Sequence, residues 1–503
     1  MAKKTIKTKA QDGSIVEFVE SSTPPSGAMK EIYFSPKKDY VVGFFKKRPN
    51  GEQIDRLKTI VGRYRKDIFE NNVGGEFWKS LFCWPEKIVD YDGRIGIVVP
   101  AYASDFYFQK DPNRKGKEKE GKWFASAKLL RLIDESERGN FFNYIRISLK
   151  LAQAIRRLHS AGLAHSDLSY KNVLIDPCNG KACVIDIDGL VVPGKFSPDV
   201  LGTPDFIAPE VISTRHLKTG RKEPCQLTDK HALAVLIYMY LLHRHPLRGG
   251  RYFGPDVDNE ETMMMGTDPL FIEHPTDHRN SDMKREYGKD DYNKFLPWVD
   301  LQKLPAEKVC GPYLWKLFQR AFVDGLKNPI DRPIADEWET ALVKTSDCIL
   351  PCSNPKCSQK FFVYDGSKKP YCRFCGTPYK NPLPVLFFYV KDRTKGTFRE
   401  DGSRLLVWDG QSLFKWHVYR NISPNEKLKE EDKHRVGYFR FRGGKWWLHN
   451  EKVQDMFEVT ASKPRRCILP GSSVALEEGA QILLSESASD GNGRLVIVRL
   501  AEC

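Results

Sequence analysis

Between residues 14 and 48 apolar and polar positions alternate around a turn-rich centre, S-S-T-P-P-S-G-A-M-K, and then run D-Y-V-V-G-F-F-K-K. That pattern predicts a strand, a tight loop and further strand. From Gln53 to Phe69 the period changes: Leu57, Ile60, Val61, Tyr64 and Ile68 recur at three and four, which predicts one amphipathic helix. The runs K-I-V-D-Y and R-I-G-I-V-V-P, joined by Asp92-Gly93, predict two more short strands. The first hundred residues therefore read as a small sheet carrying one helix.

Beyond residue 125 the pattern is that of long helices. Residues 141 to 160 set Ile145, Leu149, Ala152, Ile155 and Leu158 on one face, and H-A-L-A-V-L-I-Y-M-Y-L-L (231 to 242) is apolar nearly all round, as in a buried helix. The helical part closes near residue 345, and cysteines cluster between 348 and 376. From about residue 384, runs such as L-L-V-W-D-G and R-L-V-I-V-R-L, broken by Gly, Asn and Asp, predict a β domain.

At 503 residues the chain exceeds a single core, and 41% hydrophobic residues suffice for several. No stretch of ~18 apolar residues occurs, and M-A-K-K-T-I-K-T-K has no apolar segment behind its lysines, so a cytoplasmic protein with no membrane partner is expected. Most of the twelve cysteines are scattered singly, which suits a reducing compartment. The net charge of +15 permits nucleic acid, but the densest basic run, K-D-P-N-R-K-G-K-E-K-E-G-K (110 to 122), interleaves acids and glycines like a solvated loop. No nucleic-acid motif accompanies it, and nucleic acid is not expected as a partner.

The chemistry concentrates in H-S-D-L-S-Y-K-N (165 to 172). Phosphoryl transfer needs a carboxylate at the acceptor hydroxyl and oxygen ligands for magnesium. Asp167 and Asn172 lie on a loop after a helix, and V-I-D-I-D-G-L places Asp186 fourteen residues past Asn172. Short strands on both sides, N-V-L-I-D and A-C-V-I-D, would hold the loop and Asp186 face to face. This arrangement resembles the eukaryotic-type protein kinase family, in which H-x-D-x-x-x-x-N precedes a metal-binding aspartate. Three further motifs follow in order: G-T-P-D-F-I-A-P-E with Ala208-Pro209-Glu210, Asp229 at the start of the buried helix, and R-P-I-A-D-E-W with Arg332, of the kind that pairs with that glutamate.

The resemblance implies that Asp167 orients the acceptor hydroxyl and takes its proton, that Asn172 binds a metal, and that either Asp186 or Asp188 binds magnesium on ATP, with Asp186 favoured by its spacing from Asn172 and Asp188 assisting. His165 then has a packing and hydrogen-bonding role. Ser166 stands where many kinases have arginine, so activity should not depend on a phosphorylated activation segment, although Ser197 and Thr203 in that segment are candidates for modification. Ser169 replaces a frequent lysine, and Lys171 would reach the transferring phosphate instead. In the amino-terminal lobe, Gly27 in the loop 21 to 30 would cradle the phosphates and Lys46 would grip them, with Lys47 as the alternative. Its acidic partner is expected on the helix 53 to 70, at Asp67 rather than Glu70, and the hinge at V-V-P-A-Y (98 to 102).

C-S-N-P-K-C and C-R-F-C-G set Cys352, Cys357, Cys372 and Cys375 at C-x4-C, fourteen residues, C-x2-C, a spacing for a closed, structural zinc site resembling a zinc ribbon. Cys348 is a spare with a packing role. K-W-W-L-H-N-E-K-V and I-L-P-G-S-S-V-A-L-E-E-G-A-Q-I-L-L-S resemble the last strands of a forkhead-associated (FHA) sandwich, used here for protein contact, with Trp446 and Trp447 as core and surface strand residues. The expected fold is multidomain α+β: a kinase N-lobe over 1–100, a C-lobe over 101–345, a zinc ribbon over 346–381 and an FHA-like β-sandwich over 382–503. The whole resembles bacterial eukaryotic-like kinases of tellurite-resistance-type stress systems, which implies a von Willebrand A-domain protein and a metal-dependent protein phosphatase as partners. The expected activity is a magnesium-ATP-dependent Ser/Thr kinase that also autophosphorylates. A nucleotide-binding pseudokinase adaptor and a small-molecule phosphotransferase are the alternatives, and Ala208-Pro209-Glu210 with Arg332 argues against the last.

Overall fold

A computed structural model describes residues 4–27, 29–70, 74–192, 194–198, 202–392, 397–460, 463–486 and 493–501. The chain divides into two compact units: Met1–Gly139, Asn143–Gln302 and Lys316–Glu339 form the first, and Asn140–Phe142, Lys303–Trp315 and Thr340–Cys503 the second.

The first unit begins with a hairpin of β1 (Thr5–Lys9) and β2 (Ile15–Val19), of which β1 precedes the alternating run that the sequence pattern singles out. Four antiparallel strands follow, β3 (Lys30–Phe34), β4 (Tyr40–Phe45), β5 (Lys87–Tyr91) and β6 (Arg94–Pro100), in the order β3-β4-β6-β5. Period-2 alternation gives this sheet two apolar faces. Val42 and Phe44 pack with Ile6, Val16 and Phe18 of the hairpin, while Ile95 and Ile97 pack with Leu57 of the helix. Asp92 and Gly93 both take positive φ, 52° and 73°, as a two-residue hairpin turn requires.

The helix starts where the sequence supplies its cap. Asn50 accepts from the Gln53 N–H and the Gln53 side chain accepts from the Asn50 N–H, opening α1 (Gly51–Thr59) with a capping box. A widened turn, Ile60–Tyr64, carries the chain into α2 (Arg65–Phe69), so the predicted helix is one continuous run beginning two residues early. A short α3 (Gly75–Lys79) follows.

The remainder of this unit is helical around one small hairpin. It contains α4 (Ala127–Leu130), α5 (Phe141–Ser160), β7 (Val173–Asp176) paired with β8 (Lys181–Val184), α6 (Pro209–Thr214) and α7 (Gln226–Leu242). Every residue of α7 from His231 to Leu242 is buried, the outcome its all-round apolar surface predicts. Arg332, fully buried, forks onto both carboxylate oxygens of Glu210 in α6 at 2.8 and 2.7 Å and donates to the Leu227 carbonyl of α7 at 3.0 Å. One guanidinium thus fixes α6 against α7.

Among the described residues the second unit contains a short pair, β9 (Ile349–Pro351) and β10 (Phe361–Val363), and ten further strands. These are β11 (Leu383–Lys391), β12 (Phe398–Leu406), β13 (Ser412–Phe414), β14 (Arg435–Arg442), β15 (Lys445–Asn450), β16 (Phe457–Thr460), β17 (Lys463–Cys467), β18 (Ser473–Ala475), β19 (Gln481–Leu483) and β20 (Arg494–Ala501). They form a six-stranded sheet, β12-β11-β20-β19-β16-β17, and a four-stranded one, β13-β14-β15-β18. Leu386, Phe388 and Val496 from the first share a core with Phe439, Leu448 and Val474 from the second, which is a β-sandwich. Trp446 is buried in that core and donates from Nε1 to the Pro382 carbonyl at 2.7 Å, while Trp447 is half-buried.

Between β9 and β11 the four predicted cysteines converge. Cys352 and Cys375 have their Sγ atoms 3.5 Å apart, Cys357 and Cys372 3.8 Å apart, and all four lie within 4.8 Å of one another. A tetrahedral shell with Zn–S bonds of ~2.3 Å has sulfur-to-sulfur edges of ~3.8 Å, so these residues fit a four-thiolate zinc site. Gly376, at φ 76°, turns the chain back immediately after Cys375 and lets its N–H donate to the Cys372 carbonyl at 2.7 Å. Cys348 is buried and lies outside the four.

Elemental analysis of the full chain should find about one zinc per molecule, lost in Cys357→Ser and retained in Cys348→Ser. Arg332→Met should cost about 3–5 kcal/mol in denaturant unfolding, because Glu210 is left unpaired. The exposed Arg221–Glu223 pair is a control: Arg221→Met should cost less than about 1 kcal/mol.

Candidate active site

The loop 165 to 172 is held from beneath by α7. Asp229, buried in its first turn, accepts from the His165 N–H at 2.7 Å and from His159 Nε2 at 3.1 Å. His165 Nε2 in turn lies 3.0 Å from the Ile185 carbonyl, one residue before Asp186. His165 is thus the hydrogen-bonding residue that its position suggests, and it ties the loop to the strand that delivers Asp186. Ser166 and Asp186 both have left-handed backbones, φ 65° and 61°, a conformation uncommon for residues other than glycine and found preferentially at functional sites.

Asp167 is oriented through both carboxylate oxygens. Oδ1 accepts from the Thr203 N–H at 2.7 Å, and Oδ2 accepts from Asn172 Nδ2 at 3.0 Å. Asn172 Nδ2 also donates to the Asp167 main-chain carbonyl at 2.8 Å. With its nitrogen committed there, the amide of Asn172 has its oxygen left for a cation. Asp186 is about half exposed, and its carboxylate is an open oxygen donor of the kind magnesium takes. The residues Asn172 and Asp186 therefore fit a magnesium site. Lys171 is exposed on the loop, its N–H donating to Ser169 Oγ at 3.3 Å. Thr203 is buried, with its hydroxyl 3.2 Å from that of Ser169, so it is not accessible to modification, whereas Ser197 is exposed.

The cation facing these aspartates is Lys30, which the sequence reading did not select. Its Nζ lies 2.6 and 2.7 Å from the two oxygens of Asp188 and 3.2 Å from Asp186 Oδ1. Burial by itself would lower the pKa of this amine, but the Asp188 and Asp186 carboxylates outweigh it and hold the group above the ordinary lysine value. Asp188 is the more enclosed carboxylate, 11% exposed against 52% for Asp186, so the first serves as the lysine's counter-charge while the second faces open space.

Strand register explains the position. Lys30 pairs with Phe45 and Ile32 with Gly43, so these four share a face. Gly43 has no side chain there, and a Cβ on it would lie 3.5 Å from Lys30 Cδ, so the lysine crosses the strand over the glycine.

Three expectations for the amino-terminal lobe are corrected by this arrangement. Lys46 is exposed and donates to the Gly27 carbonyl at 2.6 Å, because it follows Val42 and Phe44 in phase and so belongs to the opposite face from Gly43. Gly27 does not offer its N–H to a phosphate: that group donates to the Lys30 carbonyl at 2.9 Å and closes the turn into β3. Asp67 lies at the helix surface 3.6 Å from Arg63, and Glu70 pairs with Arg65 at 3.2 Å, so neither is the lysine's partner. The helix instead sends in a cation, Arg56, buried, whose Nη1 donates to the Ser197 carbonyl of the activation segment at 2.9 Å. At the expected hinge, Val98 to Pro100 complete β6 and the Ala101 N–H donates to the Asp39 carbonyl at 3.0 Å.

Residues 125–296 match the model of the protein kinase domain. Among curated relatives, the death-associated protein kinase dapk-1 of Caenorhabditis elegans is 30% identical over 132 residues, 26% of this chain and 8% of that protein. The dual serine/threonine and tyrosine protein kinase of Gallus gallus is 36% identical over 101 residues, 20% of this chain and 10% of its own length. The human NUAK family SNF1-like kinase 1 is 25% identical over 135 residues, 24% and 20% respectively. The chain thus spans a fifth or less of the length of these relatives. Among solved structures, a rhoptry kinase from Toxoplasma gondii aligns at TM-score 0.39 and 14% identity over 68% of this chain and 84% of that one. ROP2 from the same organism, described as having a protein-kinase fold and no enzymatic activity, aligns at TM-score 0.38 and 14% identity over 68% and 85%. With the family match lying over the loop of Asp167, the strand of Asp186 and the Glu210 motif, the chain carries a protein kinase domain.

Proposed function

We propose that this chain is an ATP-dependent protein kinase that transfers the γ-phosphate to Ser or Thr hydroxyls, including its own. The observation that carries the reading is the double restraint on Asp167. With one oxygen on the Thr203 N–H and the other on Asn172, the carboxylate is held in one orientation, aimed to accept the proton of an incoming hydroxyl. Lys30 supplies positive charge beside Asp186 and Asp188, where the nucleotide phosphates belong, and Lys171 is a second cation available from the loop. Magnesium, when bound through Asn172 and Asp186, would offset the charge that builds on the transferred group.

Ser166 offers no cation to a phosphorylated segment. Thr203, bonded to Asp167 and Ser169, already holds the end of that segment against the loop, which supports activity without prior phosphorylation. On this reading the kinase lobes span 1–100 and 101–345. A zinc ribbon over 346–381 and an FHA-like sandwich over 382–503 recruit partners in the cytoplasm. A bacterial stress system with a von Willebrand A-domain protein and a metal-dependent phosphatase is the proposed setting, on the strength of the sequence resemblance alone.

Asp167→Asn should lower radiolabel transfer from ATP to a generic protein substrate by at least about 10²-fold while leaving nucleotide affinity in place. Lys30→Met should weaken ATP binding at least tenfold, since a charge-assisted hydrogen bond is worth ~1.5–3 kcal/mol, and Lys46→Met should leave it within about twofold. ATP binding with no transfer by the wild-type chain would instead favour the adaptor reading, to which the committed N–H of Gly27 lends support.

A further inference from the structure

The first unit holds a cavity of about 340 Å³ that none of Gly27, Lys30, Asp167, Asn172, Asp186 or Asp188 lines. Its volume falls within the ~300–1,000 Å³ of small-molecule sites. The inner wall is apolar: Leu81, Phe82 and Cys83 from the segment after α3, Phe106, and Ala182 with Cys183 from β8. Both thiols belong to this wall as apolar groups. Burial pushes Cys83 up to about 12 and Cys183 well above the usual thiol range, so neither is a thiolate nucleophile, and Cys83 donates to the Pro100 carbonyl at 3.4 Å.

The rim has the opposite character. Lys79, Lys150 and Lys181 line it, against the one carboxylate of Asp105. Lys181 pairs with Asp105 and Lys79 with Glu76 at 2.6 Å, both on the exposed surface where such pairs are weak and easily exchanged. Lys150 keeps its Nζ 4.1 Å from the Phe77 ring centroid. A compact apolar chamber with three ammonium groups at its mouth matches one kind of ligand. We infer that the cavity binds a small amphipathic anion, its apolar body against Phe82, Phe106 and Ala182 and its carboxylate among the three lysines. Pro100, Ala101 and Tyr102 of the expected hinge also line the cavity, so it adjoins the nucleotide site, and anion binding there does not depend on phosphate transfer.

Calorimetric titration of the full, zinc-loaded chain with octanoate tests this, with octylamine as the cationic counterpart of equal chain length. Octanoate should bind one per chain, and octylamine at least about tenfold more weakly. Ala182→Phe, which fills the chamber, should abolish octanoate binding. The surface double variant Lys79→Glu/Lys181→Glu should weaken it at least about tenfold and does not touch the core. No octanoate binding, equal binding of octylamine, or unchanged affinity in the Lys79→Glu/Lys181→Glu variant would each overturn the inference.

Discussion

A largely buried ammonium group has to be met by a carboxylate, and the candidate active site of this chain is arranged around how that requirement is met for Lys30. The helix behind the sheet presents Arg56 inward rather than an acid, so the counter-charge comes from the other side of the site, from Asp188. The chain thereby joins β3 directly to the segment that carries Asp186, and the lysine and the Asp186 carboxylate are positioned by the same contact. Gly43 leaves the surface over which the lysine passes, with a Cβ there reaching van der Waals contact, 3.5 Å, with Lys30 Cδ.

The carboxyl-terminal part of the first unit depends on buried polar contacts of a different kind. Asp229 holds the backbone of the loop 165 to 172, His165 links that loop to Ile185, and Arg332 locks Glu210. None of these contacts uses a phosphate. With Thr203 buried against Asp167 and Ser169, the end of the activation segment is fixed by hydrogen bonds built into the chain. Arg56 adds a link from the helix to Ser197, so the amino-terminal elements also bear on that segment.

How much of this is legible in the sequence follows from the range of each interaction. Asp167, Asn172 and Asp186 lie at short spacings along one loop and hairpin, and it is through those spacings that the resemblance to protein kinases points to them. The four cysteines are likewise two local turns, and their convergence follows from the spacing. Glu210 and Arg332 are far apart, but each sits in a run of distinctive residues. The amino-terminal lysine is hard to place from a linear pattern because its position is decided by register between β3 and β4, where a shift of one residue reverses the face. The signal was present in K-E-I-Y-F, whose alternation puts Lys30 on the face of Ile32, and in the glycine of Y-V-V-G-F-F. Lys46, by contrast, looks right in a linear reading but falls in phase with the residues under the β1–β2 hairpin. The helix misled for a similar reason: Asp67 lies near the apolar stripe, yet the inward polar residue is Arg56.

The central claim is that Lys30, and not a lysine at the end of β4, stands at the nucleotide phosphates. An acyl-phosphate derivative of ATP transfers its acyl group to the amine nearest the phosphates, and peptide mass spectrometry of the labelled chain locates it. The account predicts acylation of Lys30, suppressed by an excess of ATP with magnesium. Suppressible labelling of Lys46 or Lys47 with Lys30 unmodified would contradict it.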